Sequence, residues 1–338
     1  MMRKYTCLLL FALLLNGCDD GDITVNNIDF DDVAEAQNCT DENLIVYKLK
    51  TQEALILQVP ENTFENNPTG DGEDPDRFSI DNTSYRLVYR GYDGTIAGTY
   101  ICSLIPPTSP KVIDEWYAKS GVIEITTTQT VSAPDANNAT KINGYNHNII
   151  VKNVTYSVSG VDVTVPQIVF GNFKTTIAST DQLNLVFKAA ADQCGDDLTG
   201  QVFNFNSSSS ITIDAIDPSL IVNSVTPLNA PRTGLLGTTS NKLLYRVYQG
   251  GVVDETFFCN PTTPTTPTLK ETWTGADGVK NADGTFISGI IEVTTTTFAA
   301  GFKHTILLKK VTLQKGNNKF LLGDSFLLGE IITTPPAQ

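Results

Sequence analysis

The chain has 338 residues, a formal net charge of −14 and a sequence pI of about 4.5. So acidic a chain excludes nucleic-acid binding that works by neutralising phosphates, and adsorption to anionic lipid through a basic patch. Few Lys and Arg among much Thr, Asn, Val and Ile favours strands and turns over helices, and the length suits two ordinary domains.

The N-terminus carries Arg3 and Lys4, then the apolar run "TCLLLFALLL" (Thr6 to Leu15). That run is half of the roughly 20 residues a membrane span needs, so it reads as a secretory signal. No later apolar run is long enough to span. The run ends in Leu15-Asn16-Gly17-Cys18 rather than an A-x-A site.

This ending resembles the lipobox of bacterial lipoproteins. The resemblance implies cleavage before Cys18 and acylation of that cysteine with palmitate-type chains, each buried methylene adding about 0.8 kcal/mol of anchoring. Asp19, Asp20 and Asp22 follow at once. An acidic cluster there resembles the surface-export signal of Bacteroidota lipoproteins. Asp directly after the cysteine also resembles an inner-membrane retention signal of proteobacteria. The acidic, Thr- and Asn-rich remainder favours the first. The expected address is the outer membrane, lipid-anchored and facing outward, with a signal peptide over 1–17 and a lipidated, acidic tether over 18–21.

Beyond the tether, one pattern occurs twice. "LVYRGYDGTIAGTYIC" (Leu87 to Cys102) returns as "LLYRVYQGGVVDETFFC" (Leu243 to Cys259). "SGVIEITTTQT" (Ser120 to Thr130) returns as "SGIIEVTTTTF" (Ser288 to Phe298), and "GYNHNIIVKNVT" (Gly144 to Thr155) as "GFKHTILLKKVT" (Gly301 to Thr312). Internal repetition of this kind marks a duplicated module. The modules are expected over 22–178 and 179–338. The first copy inserts "PDANNATKIN" and the second "ADGVKNADGTF".

Within each copy the strand signals are dense. "LIVYKL" and "ALILQV" flank a short turn. In "YRLVYRGY", Tyr85, Leu87 and Tyr89 share one face, and Arg86, Val88 and Arg90 the other. In "VIEITTT", Ile123, Ile125 and Thr127 oppose Val122, Glu124, Thr126 and Thr128. Period-two alternation predicts half-buried antiparallel strands. The fold class is therefore all-β: two tandem homologous β-sandwich modules, immunoglobulin-like or jelly-roll-like.

Four cysteines remain in the mature chain: Cys39, Cys102, Cys194 and Cys259. An even number in an exported chain predicts disulfides, and none forms the C-x-x-C pair of a zinc site. Because each copy holds one pair at nearly equal spacing, the repeat selects Cys39 with Cys102 and Cys194 with Cys259.

Candidate chemistry is sparse. The two histidines, His147 and His304, are equivalent and share parity with core residues, which favours hydrogen-bonded packing over ligation or catalysis. Glu124 matches Glu292 and Glu115 matches Glu271. Such carboxylates could serve glycoside hydrolysis, but Glu124 sits on the polar face of a Thr-rich strand. Trp116 and Trp273 are possible ligand-stacking residues if exposed, and core residues if buried. Asp71, Glu73, Asp74 and Asp76 in "TGDGEDPD" resemble a calcium loop but lack the full EF-hand pattern. No other cofactor is indicated, and no G-x-S-x-G, H-E-x-x-H or phosphate-binding loop occurs.

The chain as a whole resembles tandem β-sandwich lipoproteins of Bacteroidota surfaces. That resemblance implies a non-enzymatic binding or scaffold protein, with the membrane and an extracellular glycan or protein as partners. The alternatives are a glycan-binding lipoprotein of a polysaccharide uptake system, and a surface hydrolase.

The anchor makes the first prediction. Intact mass should show acyl chains on an N-terminal Cys18, and Cys18→Ala should move the protein from the membrane to the soluble fraction. A membrane-bound Cys18→Ala variant, beside a wild type without acyl mass, contradicts it.

Overall fold

The computed structural model describes residues 28–39, 44–158, 160–195, 200–260, 262 and 264–334. The signal stretch, Cys18 and the acidic tether lie outside the described residues. The fold is all-β. Among the described residues, helical structure amounts to one α-turn, Thr99–Cys102, and two 3₁₀ turns, Ser179–Asp181 and Glu255–Phe257.

The first half holds β1 (Gln37–Asn38), β2 (Leu44–Leu49), β3 (Glu53–Val59), β4 (Asp76–Ser79), β5 (Arg86–Tyr92), β6 (Val112–Val131), β7 (Ile142–Val158) and β8 (Val161–Thr176). They join in the order β1-β2-β3-β5-β6-β7-β8, with β4 on β6. β6 is long because it serves both layers of the sandwich. Its first part pairs with β5, and its second with β4 and β7. The pairing with β7 is irregular between Ala118 and Val122, where the strand passes from one layer to the other.

The second half holds β9 (Asp192–Gln193), β10 (Val202–Phe205), β11 (Ser209–Asp214), β12 (Arg232–Leu235), β13 (Lys242–Gln249), β14 (Thr268–Gly275), β15 (Val279–Lys280), β16 (Phe286–Ser288), β17 (Ile290–Phe298), β18 (Gly301–Lys309), β19 (Thr312–Lys315), β20 (Asn318–Leu321) and β21 (Phe326–Thr333). One sheet runs β9-β10-β11-β13-β14-β19-β20 and the other β12-β17-β18-β21. This is the strand order of the first half with each long strand cut in two: β14 and β17 correspond to β6, β18 and β19 to β7, β20 and β21 to β8. The insertion "ADGVKNADGTF" supplies most of the β15–β16 hairpin.

Alternation places the core as the sequence pattern requires. Leu55, Leu57, Leu87, Tyr89, Ile123, Ile125, Ile149 and Val151 fill one interior. Ile211, Ile213, Tyr245, Trp273, Ile291, Val293, Ile306 and Leu308 fill the other. Each fully buried aliphatic side chain of this size contributes about 1.5–3 kcal/mol.

The opposite face of β2, β3 and β5 is apolar as well. Tyr47, Ile56, Val88 and Tyr92 form a second small core with Cys39, Ile96 and Cys102. Cys194, Phe203, Val253 and Phe258 repeat it in the second half. The disulfides Cys39–Cys102 and Cys194–Cys259 pin the covering segments to the sheet.

A buried polar side chain ties the start of each half to its last strand. Lys48 Nζ donates to Phe30 O at 2.6 Å and Val169 O at 3.2 Å. Asn204, at the equivalent place, donates to Lys188 O and Leu328 O, both at 2.8 Å. The approach is close: at Gly171, with φ +98°, a Cβ would lie 2.6 Å from Ala34 O.

Non-reducing peptide mapping should recover Cys39–Cys102 and Cys194–Cys259 peptides. Replacing both members of either pair with serine should cost roughly 4 kcal/mol in denaturant titrations, from loops of 63 and 65 residues. Four alkylatable thiols in the native protein would contradict the pairing.

Candidate functional site

The two halves meet end to end through side chains that donate to backbone. Asn317 Nδ2 donates to Pro68 O and to Glu73 Oε2, each at 2.9 Å. Asn318 Nδ2 donates to Asn66 O at 3.0 Å, and Tyr145 Oη donates to Asn318 Oδ1 at 2.8 Å. Gln129 exchanges two bonds with the backbone of Lys319, at 2.6 and 2.9 Å. The insertion "PDANNATKIN" also reaches across: Asn137 Nδ2 donates to Ser325 O at 2.9 Å, and Asn138 Nδ2 to Asp324 Oδ2 at 2.6 Å. Ile142 and Tyr145 of the first half are built into the core of the second.

Beside this seam lies a cavity of about 330 Å³ lined by both halves and by the segment that joins them. Its apolar wall includes Ile142, Tyr145, Leu183, Leu185, Trp273 and Phe320. Its polar rim carries Lys141, Lys270 and Lys315 against Asp181 and Glu271. A cationic excess at the rim stands out in a chain with net charge −14.

On this rim Trp273 Nε1 donates to Glu271 Oε2 at 3.1 Å, and Lys315 Nζ donates to the same oxygen at 2.9 Å. The Lys315 ammonium also sits 5.4 Å from the Trp273 ring centroid. Burial works to raise the Glu271 carboxyl. The hydrogen bond and charge of Lys315 outweigh it, aided by the indole, so Glu271 is held below the ordinary carboxylate range. Burial, with the Glu271 charge nearby, raises the Tyr145 phenol.

Glu271 is not the counterpart of Glu115, as the sequence match has it. Trp116 lies across from Tyr89 and Trp273 across from Tyr245, which fixes the register. Counting from these anchors, Glu115 corresponds to Thr272, and Glu271 to Asp114. Glu115 therefore faces outward and pairs with Arg90 at 2.7 Å. Glu271 faces inward beside Trp273, because one residue of offset changes the face.

Neither tryptophan is an open stacking platform. Trp273 is buried in the core and borders the cavity with almost none of its ring open to solvent. Trp116 is half-buried and packs against Tyr89 and Tyr156. This corrects the stacking role for both: sandwich interiors take up the largest apolar side chain on the inward face of the strand.

The four acids of the candidate calcium loop go to separate places. Glu73 is turned back onto Gly70 N and across to Asn317, Asp74 lies 3.7 Å from Arg77, and Asp76 opens β4. Asp71 is exposed. Among the described residues no three acidic, histidine or cysteine side chains gather as metal ligands. Of these acids, Glu73 serves the contact between the halves and Asp74 pairs with Arg77. Glu124 likewise is held by Arg77 at 3.0 Å and Lys152 at 2.7 Å.

The histidines are core residues. His147 Nδ1 lies 2.9 Å from Thr127 Oγ1, and Nε2 3.2 Å from Thr175 Oγ1. His304 repeats this with Thr295 and Thr333, each at 2.9 Å. Burial lowers His147 to about 4, and burial with the nearby Arg232 charge lowers His304.

That depression has a sign. From pH 6.5 down to about 4 the unfolded chain gains a proton at His147 that the folded chain refuses. Stability is therefore whole above pH 6.5 and falls as the pH drops through this window, by up to about 3 kcal/mol for His147. Denaturant titrations at pH 7 and pH 4.5 should show a smaller loss for His147→Gln than for wild type. An equal loss contradicts the assignment.

The seam cavity was not visible in the sequence, since its walls come from separate segments spread between Asn66 and Phe320. Comparison with protein-family models, with curated proteins and with solved structures finds no match.

Proposed function

We propose that the chain is an outward-facing, lipid-anchored outer-membrane lipoprotein of two tandem homologous modules, 22–178 and 179–338, that binds a ligand without transforming it. The observation that carries the binding role is the seam cavity. Aromatic and aliphatic walls with a few placed polar groups are what small-ligand sites share, and they occur preferentially between domains. The asparagine contacts that lock the halves mean the site is formed before a ligand arrives, which spares the cost of ordering it. The acidic tether and lipobox supply the address.

Holding rather than transforming fits the state of Glu271. It stays ionised and engaged with Lys315 and the indole, so it is a poor proton donor for glycoside chemistry. The glycan-binding version draws support from the polar lining of the same cavity, where Asn66, Gln182 and the lysines offer partners for hydroxyls.

The test uses the protein's own fluorophores. Trp116→Phe leaves Trp273 as the sole tryptophan, at the cavity wall. Titration with an oligosaccharide panel and with small organic anions should give a saturable change in its emission for at least one class. Leu183→Asp, which puts a charge into the apolar wall, should reduce that affinity at least tenfold. No saturable response from either class would sink the reading.

A further inference from the structure

The contact between the halves is head-to-tail: two different surfaces meet, and each surface exists twice in the chain. The receiving surface of the first half is the loop Asn66–Glu73. Its counterpart in the second half is Asn223–Ala230. Thr69 N donates to Thr127 O at 2.8 Å, as Thr226 N donates to Thr295 O at 3.0 Å. Glu73 N donates to Gly70 O as Ala230 N donates to Pro227 O, and Gly72 and Asn229 both have positive φ. The entering surface of the second half is the hairpin closed by Lys315 and Asn318. Its counterpart in the first half is closed by Val158 and Val161.

One receiving surface and one entering surface are used inside the chain. The other two are left over, one at each end, and both have changed from polar to apolar. On the receiving side Asp71 and Glu73 are replaced by Leu228 and Ala230, and Val225 stands where the first half has Pro68. Leu228 is 92% exposed and Val225 52%. Phe298 is exposed as well, at the adjoining strand end. On the entering side Lys315, Asn318 and Lys270 are replaced by Val158, Val161 and Ile113. Ile113 is 64% exposed and Val161 52%. A matched change on two separate surfaces fits those surfaces to each other.

We propose that the far end of the second half receives the near end of the first half of a second copy of this chain, repeating the internal seam with apolar in place of polar contacts. Such a contact is heterologous. It does not close on itself, so it adds copies in a row. It is independent of the ligand reading.

Sedimentation velocity on the chain expressed from Asp19, which keeps every described residue, tests this. Average mass should rise with concentration beyond the dimer. Leu228→Asp and Val161→Asp alter exposed side chains at opposite ends, and each alone should be at least tenfold weaker in self-association, with unchanged melting. Mixing the two variants should restore a dimer and nothing larger. The intact near end of one seats on the intact far end of the other, and both remaining ends are blocked. A wild type that stays monomeric, single variants that still associate, or a mixture that stays monomeric would each overturn the proposal.

Discussion

The alternation of side chains along a strand is the constraint on which both ends of this molecule depend. Once Trp116 and Trp273 are fixed inward across from Tyr89 and Tyr245, every neighbour's face follows. Asp114 and Glu271 fall on one parity, Glu115 and Thr272 on the other. The strand order at this end is the same in both halves, and residue type distinguishes the two surfaces. In the second half this end carries Glu271, Lys315 and Asn318, which bind the indole and the first half. In the first half it carries Asp114, Val158 and Val161, and while Val158 leans on the core, Val161 and Ile113 are left to solvent. A single scaffold thus presents a polar end inside the chain and an apolar end outside it.

The interiors solve a second problem in duplicate. A buried polar group without a partner costs about 1–3 kcal/mol, so each one kept in the core needs a reason and a partner. His147 and His304 find theirs in pairs of threonines from the flanking strands, which hold each ring between three strands. Lys48 and Asn204 differ in charge and length yet perform the same task, donating to carbonyls of the incoming segment and of the last strand. For Lys48 the burial lowers the ammonium's pKa, with Asp31 and Asp32 acting against that shift. The asparagine needs no such compensation.

Local pattern made much of the fold legible in the sequence. "YRLVYRGY" and "VIEITTT" sort their residues between faces as period two requires, and the repeated spacing of cysteines selected the pairs that form. What stayed hidden depends on contacts between distant segments. The outer face of β2, β3 and β5 reads as mixed, with Arg86 and Arg90 beside Val88, but the disulfide-pinned segment covers it and makes a second core. The match of Glu115 with Glu271 looks sound in a string of letters. It fails because strand register is set from the tryptophans, and the sheet is irregular between Gly91 and Tyr92 and between Val247 and Tyr248. The acids of "TGDGEDPD" looked like ligands because nothing in the sequence shows that Asn317 waits across the seam.

The two insertions explain why one seam is permanent and the other end is open. "PDANNATKIN" extends the first half over the second, and its asparagines add Ser325 and Asp324 to the contact. The second half has no such arm: β17 returns into β18 through Ala299 and Ala300, which leaves Phe298 uncovered. Its own insertion went instead to the β15–β16 hairpin. An end-to-end contact with another copy therefore lacks the arm that braces the internal seam. It relies on apolar burial at a smaller surface, so it should be the weaker of the two and governed by concentration. The internal seam, held by directed hydrogen bonds from several segments, keeps one geometry and with it the shape of the cavity beside it.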